Sequence, residues 1–105
     1  MPLLITLLAL MMTAAGLPDN VDVDIARVNF IQRNLGEGMV HCNRFRNLRC
    51  ALVGGDRQVA RCHYREWAER PPWPRKFITL RRVGEEWEWV SGDPPRCSIT
   101  MFDSD

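Results

Sequence analysis

Apolar residues fall into two different periods along this chain. From residue 21 to 35, Val21, Ile25, Val28, Ile31 and Leu35 share an arc of about 120° at 100° per residue, the spacing of a helix with one apolar stripe. Val23 and Phe30 fall on the other side of that wheel. Asp19 or Asn20 stands where a cap belongs, Asp22 and Asp24 suit the electropositive start, and Gly36 suits the end. After Gly38 the period drops to two, and strands are predicted over 39–45, on both sides of a turn within 47–67, and over 76–82, 86–91 and 97–102.

The stretch 47–67 reads as a hairpin, because Gly54, Gly55 and Asp56 tolerate positive φ between two runs of strand formers. Pairing Gly54 with Gln58 sets Leu52 against Ala60, Cys50 against Cys62 and Leu48 against Tyr64 on one face. The reverse face then holds Arg49, Ala51 and Val53 with Val59, Arg61 and His63. A second hairpin around Gly84 with Arg81 opposite Glu86 pairs Leu80 with Trp87 and Ile78 with Trp89, and puts Thr79 beside Glu88 on the reverse face. Each hairpin has one apolar and one polar face. The fold class this predicts is α+β: one amphipathic N-terminal helix packed on a four- to five-stranded antiparallel sheet.

The beginning of the chain changes the setting. An apolar run from Leu3 to Met12 followed by Ala14, Ala15 and Gly16 has the pattern of a secretory signal peptide, residues 1–16, although no Lys or Arg precedes the run. The run is shorter than the ~20 residues of a membrane-spanning helix, so no span is expected after its removal. Residues 17–105 then form one small domain, secreted or periplasmic, whose core alone is marginal. Four cysteines in such a chain imply two disulfides. Three connectivities exist for Cys42, Cys50, Cys62 and Cys97, and the hairpin register favours Cys50 with Cys62, leaving Cys42 with Cys97.

A net charge of +1 conceals an uneven layout. Residues 44–82 hold eleven basic side chains and three acidic ones, the rest three basic and ten acidic. Arg49, Arg61, His63 and Arg65 lie close together on the polar face of the central hairpin and form a candidate anion site. Thirteen of the fourteen basic residues are Arg, which suits forked contacts to phosphate or carboxylate. The loop Ala68-Glu69-Arg70-Pro71-Pro72-Trp73-Pro74 cannot enter a sheet interior, since its prolines lack donors. It makes Trp73 the best single interaction anchor.

Other chemistry is weaker. His41, Cys42, Cys50, Cys62 and His63 offer metal ligands, but there is no Cys-x-x-Cys knuckle, and disulfides would consume the thiols; no metal or cofactor is expected. There is no Gly-x-Ser-x-Gly, phosphate loop or dinucleotide fingerprint. Two histidines, Lys76 and a basic face are the parts of a small metal-independent, ribonuclease-like hydrolase, with His63 as its acid or base. A helix followed by an antiparallel sheet, the Val53-Gly54-Gly55 turn and the Pro72-Trp73 loop resemble in shape the cystatin inhibitors of cysteine proteases, with Ala51 where that family carries Gln. The resemblance is one of outline over a few residues. The function expected is a non-enzymatic binding or inhibitor-type module, for another protein or an anionic ligand and without sequence-specific nucleic-acid recognition; the hydrolase is the alternative.

Overall fold

The computed structural model describes residues 16–35 and 38–100. All of the expected leader except Gly16 lies outside the described residues. Helix α1 (Asn20–Leu35) begins with a reciprocal cap. The Asp22 backbone N–H donates to Asp19 Oδ1 at 2.9 Å, and the Asp19 N–H donates to Asp22 Oδ2 at 3.0 Å. Two donors that the first helical turn cannot satisfy internally are thereby used.

Six strands follow: β1 (Met39–Cys42), β2 (Phe45–Val53), β3 (Asp56–Glu66), β4 (Arg75–Val83), β5 (Glu86–Gly92) and β6 (Cys97–Thr100). β2, β3, β4 and β5 form one antiparallel meander in that order, while β1 and β6 pair with each other as a separate two-stranded sheet. This corrects the expectation of a fifth strand in the main sheet. Asn43 and Arg44 break the run that looked continuous from Met39 to Phe45, and the Asn43 N–H donates to the Arg96 carbonyl at 2.8 Å, closing the β1–β6 ladder instead. The disulfides are Cys42–Cys97, joining these two strands, and Cys50–Cys62, across the first hairpin.

In that hairpin Cys50 opposes Cys62 and Leu52 opposes Ala60, but the register slips between Leu52 and Val53, so that Val53 opposes Asp56 in place of the expected Gly54–Gln58 pair, and again between Arg46 and Arg49. Asn47 has φ 60°, the left-handed conformation that Asn tolerates, and forms part of a β-bulge there. The second hairpin is displaced from its expected register by two residues, so that Val83 opposes Glu86 and Leu80 opposes Trp89. Its turn is the two-residue Gly84-Glu85, tighter than the expected pairing requires. A shift of two preserves faces, and the apolar residues remain inside. A further bulge after Thr79↔Ser91 leaves Ile78 opposite Gly92. A Cβ on Gly92 would run into the Phe77 carbonyl and the Ile78 backbone, and its φ is +127°, so this crossing needs glycine.

The helix covers one face of the main sheet. Val23, Ala26, Ala60, Cys62, Tyr64, Ile78, Leu80 and Trp87 form the buried cluster, with Phe45, Leu48, Cys50 and Trp89 packed around it. The buried helix face is rotated from the expected stripe, of which it keeps Ile31. Val23, Ala26, Arg27 and Ile31 are buried, whereas Val21 and Ile25 are 64% and 44% exposed. Two contacts select this face: Phe30 stacks on Trp89 with centroids 5.0 Å apart, and Arg27 reaches Glu66 at 2.8 Å. Turning the aliphatic stripe inward would expose the Phe30 ring and strand the Glu66 carboxylate without its cation.

Candidate functional site

Along β3, Ala60, Cys62, Tyr64 and Glu66 are buried under the helix, and Arg61, His63 and Arg65 alternate with them. The alternate residues therefore project from the uncovered face. Register extends that face into rows across the strands. Arg46 opposes Arg65, which opposes Arg75; Arg49 opposes His63, which opposes Phe77. The next rows are Ala51, Arg61, Thr79 and Ser91, then Val59, Arg81 and Glu88. Like charges directly across a ladder cost roughly 0.2–1 kcal/mol per pair. Among the described residues, none of Arg46, Arg49, Arg61, Arg65 or Arg75 has a carboxylate within 4.0 Å. The first row is thus three adjacent cations with no acidic side chain between them.

The loop between β3 and β4 folds onto this row. The Arg46 guanidinium lies 4.0 Å from the Trp73 ring centroid and that of Arg44 5.7 Å. Arg65 Nη1 donates to the Trp73 carbonyl at 2.9 Å. The Glu66 N–H donates to the Pro74 carbonyl at 3.0 Å and closes the loop. Trp73 is half-buried rather than projecting into solvent. It fixes the arginines by cation–π contact and leaves their remaining N–H groups directed by a rigid frame.

The structure therefore brings together the five residues singled out in the sequence, Arg49, Arg61, His63, Arg65 and Trp73. Three members of the same face were missed. Arg46 lay on the helix side in an unbroken register, and the Asn47 bulge turns it outward. Arg75 fell one residue before the expected start of its strand. Phe77 was not singled out, although it shares strand parity with Thr79 and Arg81; it is 55% exposed on the open face, with its ring centroid 5.6 Å from that of His63. Its backbone is fixed at both ends: the Phe77 N–H donates to Asp93 Oδ2, and the Asp93 N–H to the Phe77 carbonyl, each at 2.9 Å.

A second polar cluster lies beneath the helix. Arg27 and Glu66 are both fully buried, and Arg27 sits over the rings of Phe45 and Tyr64 at 5.0 and 5.3 Å. Glu66 Oε2 also accepts from the Arg96 N–H at 3.0 Å, and Lys76 Nζ is 3.9 Å from Oε1. Burial pushes the Tyr64 phenol up from 10 to about 12, against the opposing pull of Arg27 and with a smaller push from Glu66. Arg27, Glu66 and Tyr64 have no exposed surface, so the cluster holds the helix to the sheet and admits no substrate.

The groups named for a His-based hydrolase, His41, His63 and Lys76, are not brought together. His63 is on the open face, Lys76 points beneath the helix toward Glu66, and His41 belongs to β1 in the other sheet. All four cysteines are in disulfides, and no three His, Cys, Asp or Glu side chains converge as metal ligands among the described residues. No helix among them is long and apolar enough to cross a membrane.

No family model, curated protein or solved structure matches this chain. The resemblance to cystatins also fails on topology. The Gly54-Gly55 turn precedes β3 and the Pro72-Trp73 loop follows it, so the two stand at opposite ends of an 11-residue strand, roughly 35 Å apart. They cannot form one inhibitory edge.

Proposed function

We propose that this chain is an exported, disulfide-tied, non-enzymatic binding module whose uncovered sheet face takes an anionic partner. The observation that carries this reading is the in-register row Arg46, Arg65 and Arg75. Trp73 holds Arg46 and Arg65 by a cation–π contact and a hydrogen bond to its carbonyl, but among the described residues no carboxylate offsets the three adjacent charges. An anionic ligand converts that repulsion into forked, charge-assisted hydrogen bonds. Export is supported by the apolar run at the start of the sequence and by the two disulfides, which persist in oxidising compartments.

The test is retention on immobilised heparin, used as a generic polyanion, as salt is raised. Retention should fall steeply and log-linearly with salt, and replacing Arg46, Arg65 and Arg75 by Ala should abolish most of it. Retention that ignores salt and survives the triple substitution would mean that the face is not an anion site.

A further inference from the structure

The proposal that the open face binds anions says nothing yet about the shape of the partner, and the distribution of rings among the charges does. The largest apolar group on the face, Phe77, stands bare in the row Arg49, His63, Phe77, directly beside the Arg46, Arg65, Arg75 row. Next to it, a depression of about 250 Å³ is lined by Arg61, Cys62, Phe77, Ile78, Thr79 and Gly92. Gly92, opposite Ile78, forms part of its wall. Arg49, Arg61, Arg65 and Arg75 lie in the rows around this ring and depression, and the Asp93 carboxylate borders them at the Phe77 N–H.

Resting on the anion-face reading, we infer that this surface binds single-stranded nucleic acid without sequence preference, with Phe77 as the stacking platform and the adjoining depression as the seat of one base. Arg61 and Arg65 lie four residues apart along β3, about 13 Å. That is nearly four times the ~3.4 Å rise of a stacked strand, so the two cations match alternate phosphates of an extended strand whose bases have come apart, with the His63 ring between them. Bases splayed in this way find the Phe77 ring, the His63 ring and guanidinium planes to stack on. A polymer of charge alone has no use for an exposed phenyl ring. A duplex keeps its bases inside and presents only its backbone. The face shows no arrangement of donors that would distinguish one base from another, and none is proposed.

The experiment is fluorescence anisotropy of the full, oxidised chain with labelled oligothymidylate, the matching duplex and heparin. Oligothymidylate should bind more tightly than the duplex at equal salt. Phe77→Ala should weaken it roughly 5- to 150-fold, the loss of one base stack, while leaving the heparin affinity unchanged. Phe77→Trp should restore binding. Arg65→Ala should lower the salt slope by about 0.7. Because Phe77 is largely exposed, its variants should keep the wild-type melting temperature, which controls for folding. If heparin binds and oligothymidylate does not, the nucleic-acid inference is overturned and the anion face stands. If Phe77→Ala leaves oligothymidylate binding intact, the stacking platform is wrong. If neither polymer binds, both readings fall.

Discussion

Glu66→Gln should remove most of the stability of this domain. The substitution keeps the size of the side chain and an oxygen to accept the Arg96 N–H at 3.0 Å, so it isolates one change: the Arg27 guanidinium, fully buried at 2.8 Å from the carboxylate, loses its buried counter-charge and keeps only the exposed Asp24 carboxylate at 3.7 Å. The Phe45 and Tyr64 rings remain over it, but they do not replace a carboxylate. Breaking a buried pair by removing one partner costs about 3–5 kcal/mol, against a total of about 4–12 kcal/mol for a domain of this size. Urea unfolding of the oxidised protein, followed by the fluorescence of the core residues Trp87 and Trp89, reads this directly. With a slope of about 1–1.5 kcal/mol/M, the midpoint should fall by roughly 2–5 M. Adding Arg27→Met removes the stranded cation, and the double variant should regain part of the loss. A Glu66→Gln midpoint within 0.5 M of wild type, or a double variant weaker than the two single losses added together, would refute this account of the helix-to-sheet joint.

Further outcomes follow from other features. The Tyr64 phenol is raised in the folded state, so its contribution is complete below pH 10 and is lost as pH climbs through about 12. Alkaline unfolding should therefore show a loss of up to about 2 kcal/mol over that window, absent in Tyr64→Phe. Removing Cys42–Cys97 closes off a constraint over 55 residues and Cys50–Cys62 one over 12; paired Ala substitutions should cost about 4 and 3 kcal/mol respectively by thermal melting. Gly92→Ala should lower the melting temperature sharply, because its Cβ meets backbone at Phe77 and Ile78, whereas Gly55→Ala, with open space around it, should change it little.

What could be read from the sequence and what could not divide along a physical line. Strand parity is rigid, so one pair of cysteines at the correct separation sufficed to place Cys50 against Cys62 and to gather Arg49, Arg61, His63 and Arg65 on one face. Parity fails wherever a single residue is inserted into a ladder. The Asn47 bulge reversed Arg46, and its only mark in the sequence is an Asn inside a strand. The helix misled for a different reason. Counting aliphatic residues weighs Val21 and Ile25 as core, yet a buried Arg27 and the Phe30 stack outweighed them, and the partner of each, Glu66 and Trp89, lies far along the chain. The edge of the sheet was overcounted because β1 and β6 are as strand-like as the others; only the bond from Asn43 to Arg96 and the Cys42–Cys97 link show that they pair apart.

The segregation of charge also bears on how the molecule behaves in bulk. Its isoelectric point near 7.7 suggests an indifferent colloid at neutral pH, but Arg46, Arg49, Arg61, Arg65 and Arg75 share one sheet face while Asp19, Asp22 and Asp24 gather at the start of the helix and Glu85 and Glu86 at the last tight turn. Such a particle has a large dipole moment and almost no monopole. In dilute buffer, copies will attract head to tail and cloud the solution, and moderate salt will clear it, the reverse of ordinary salting out. Both cation- and anion-exchange resins will hold it, each by a different side.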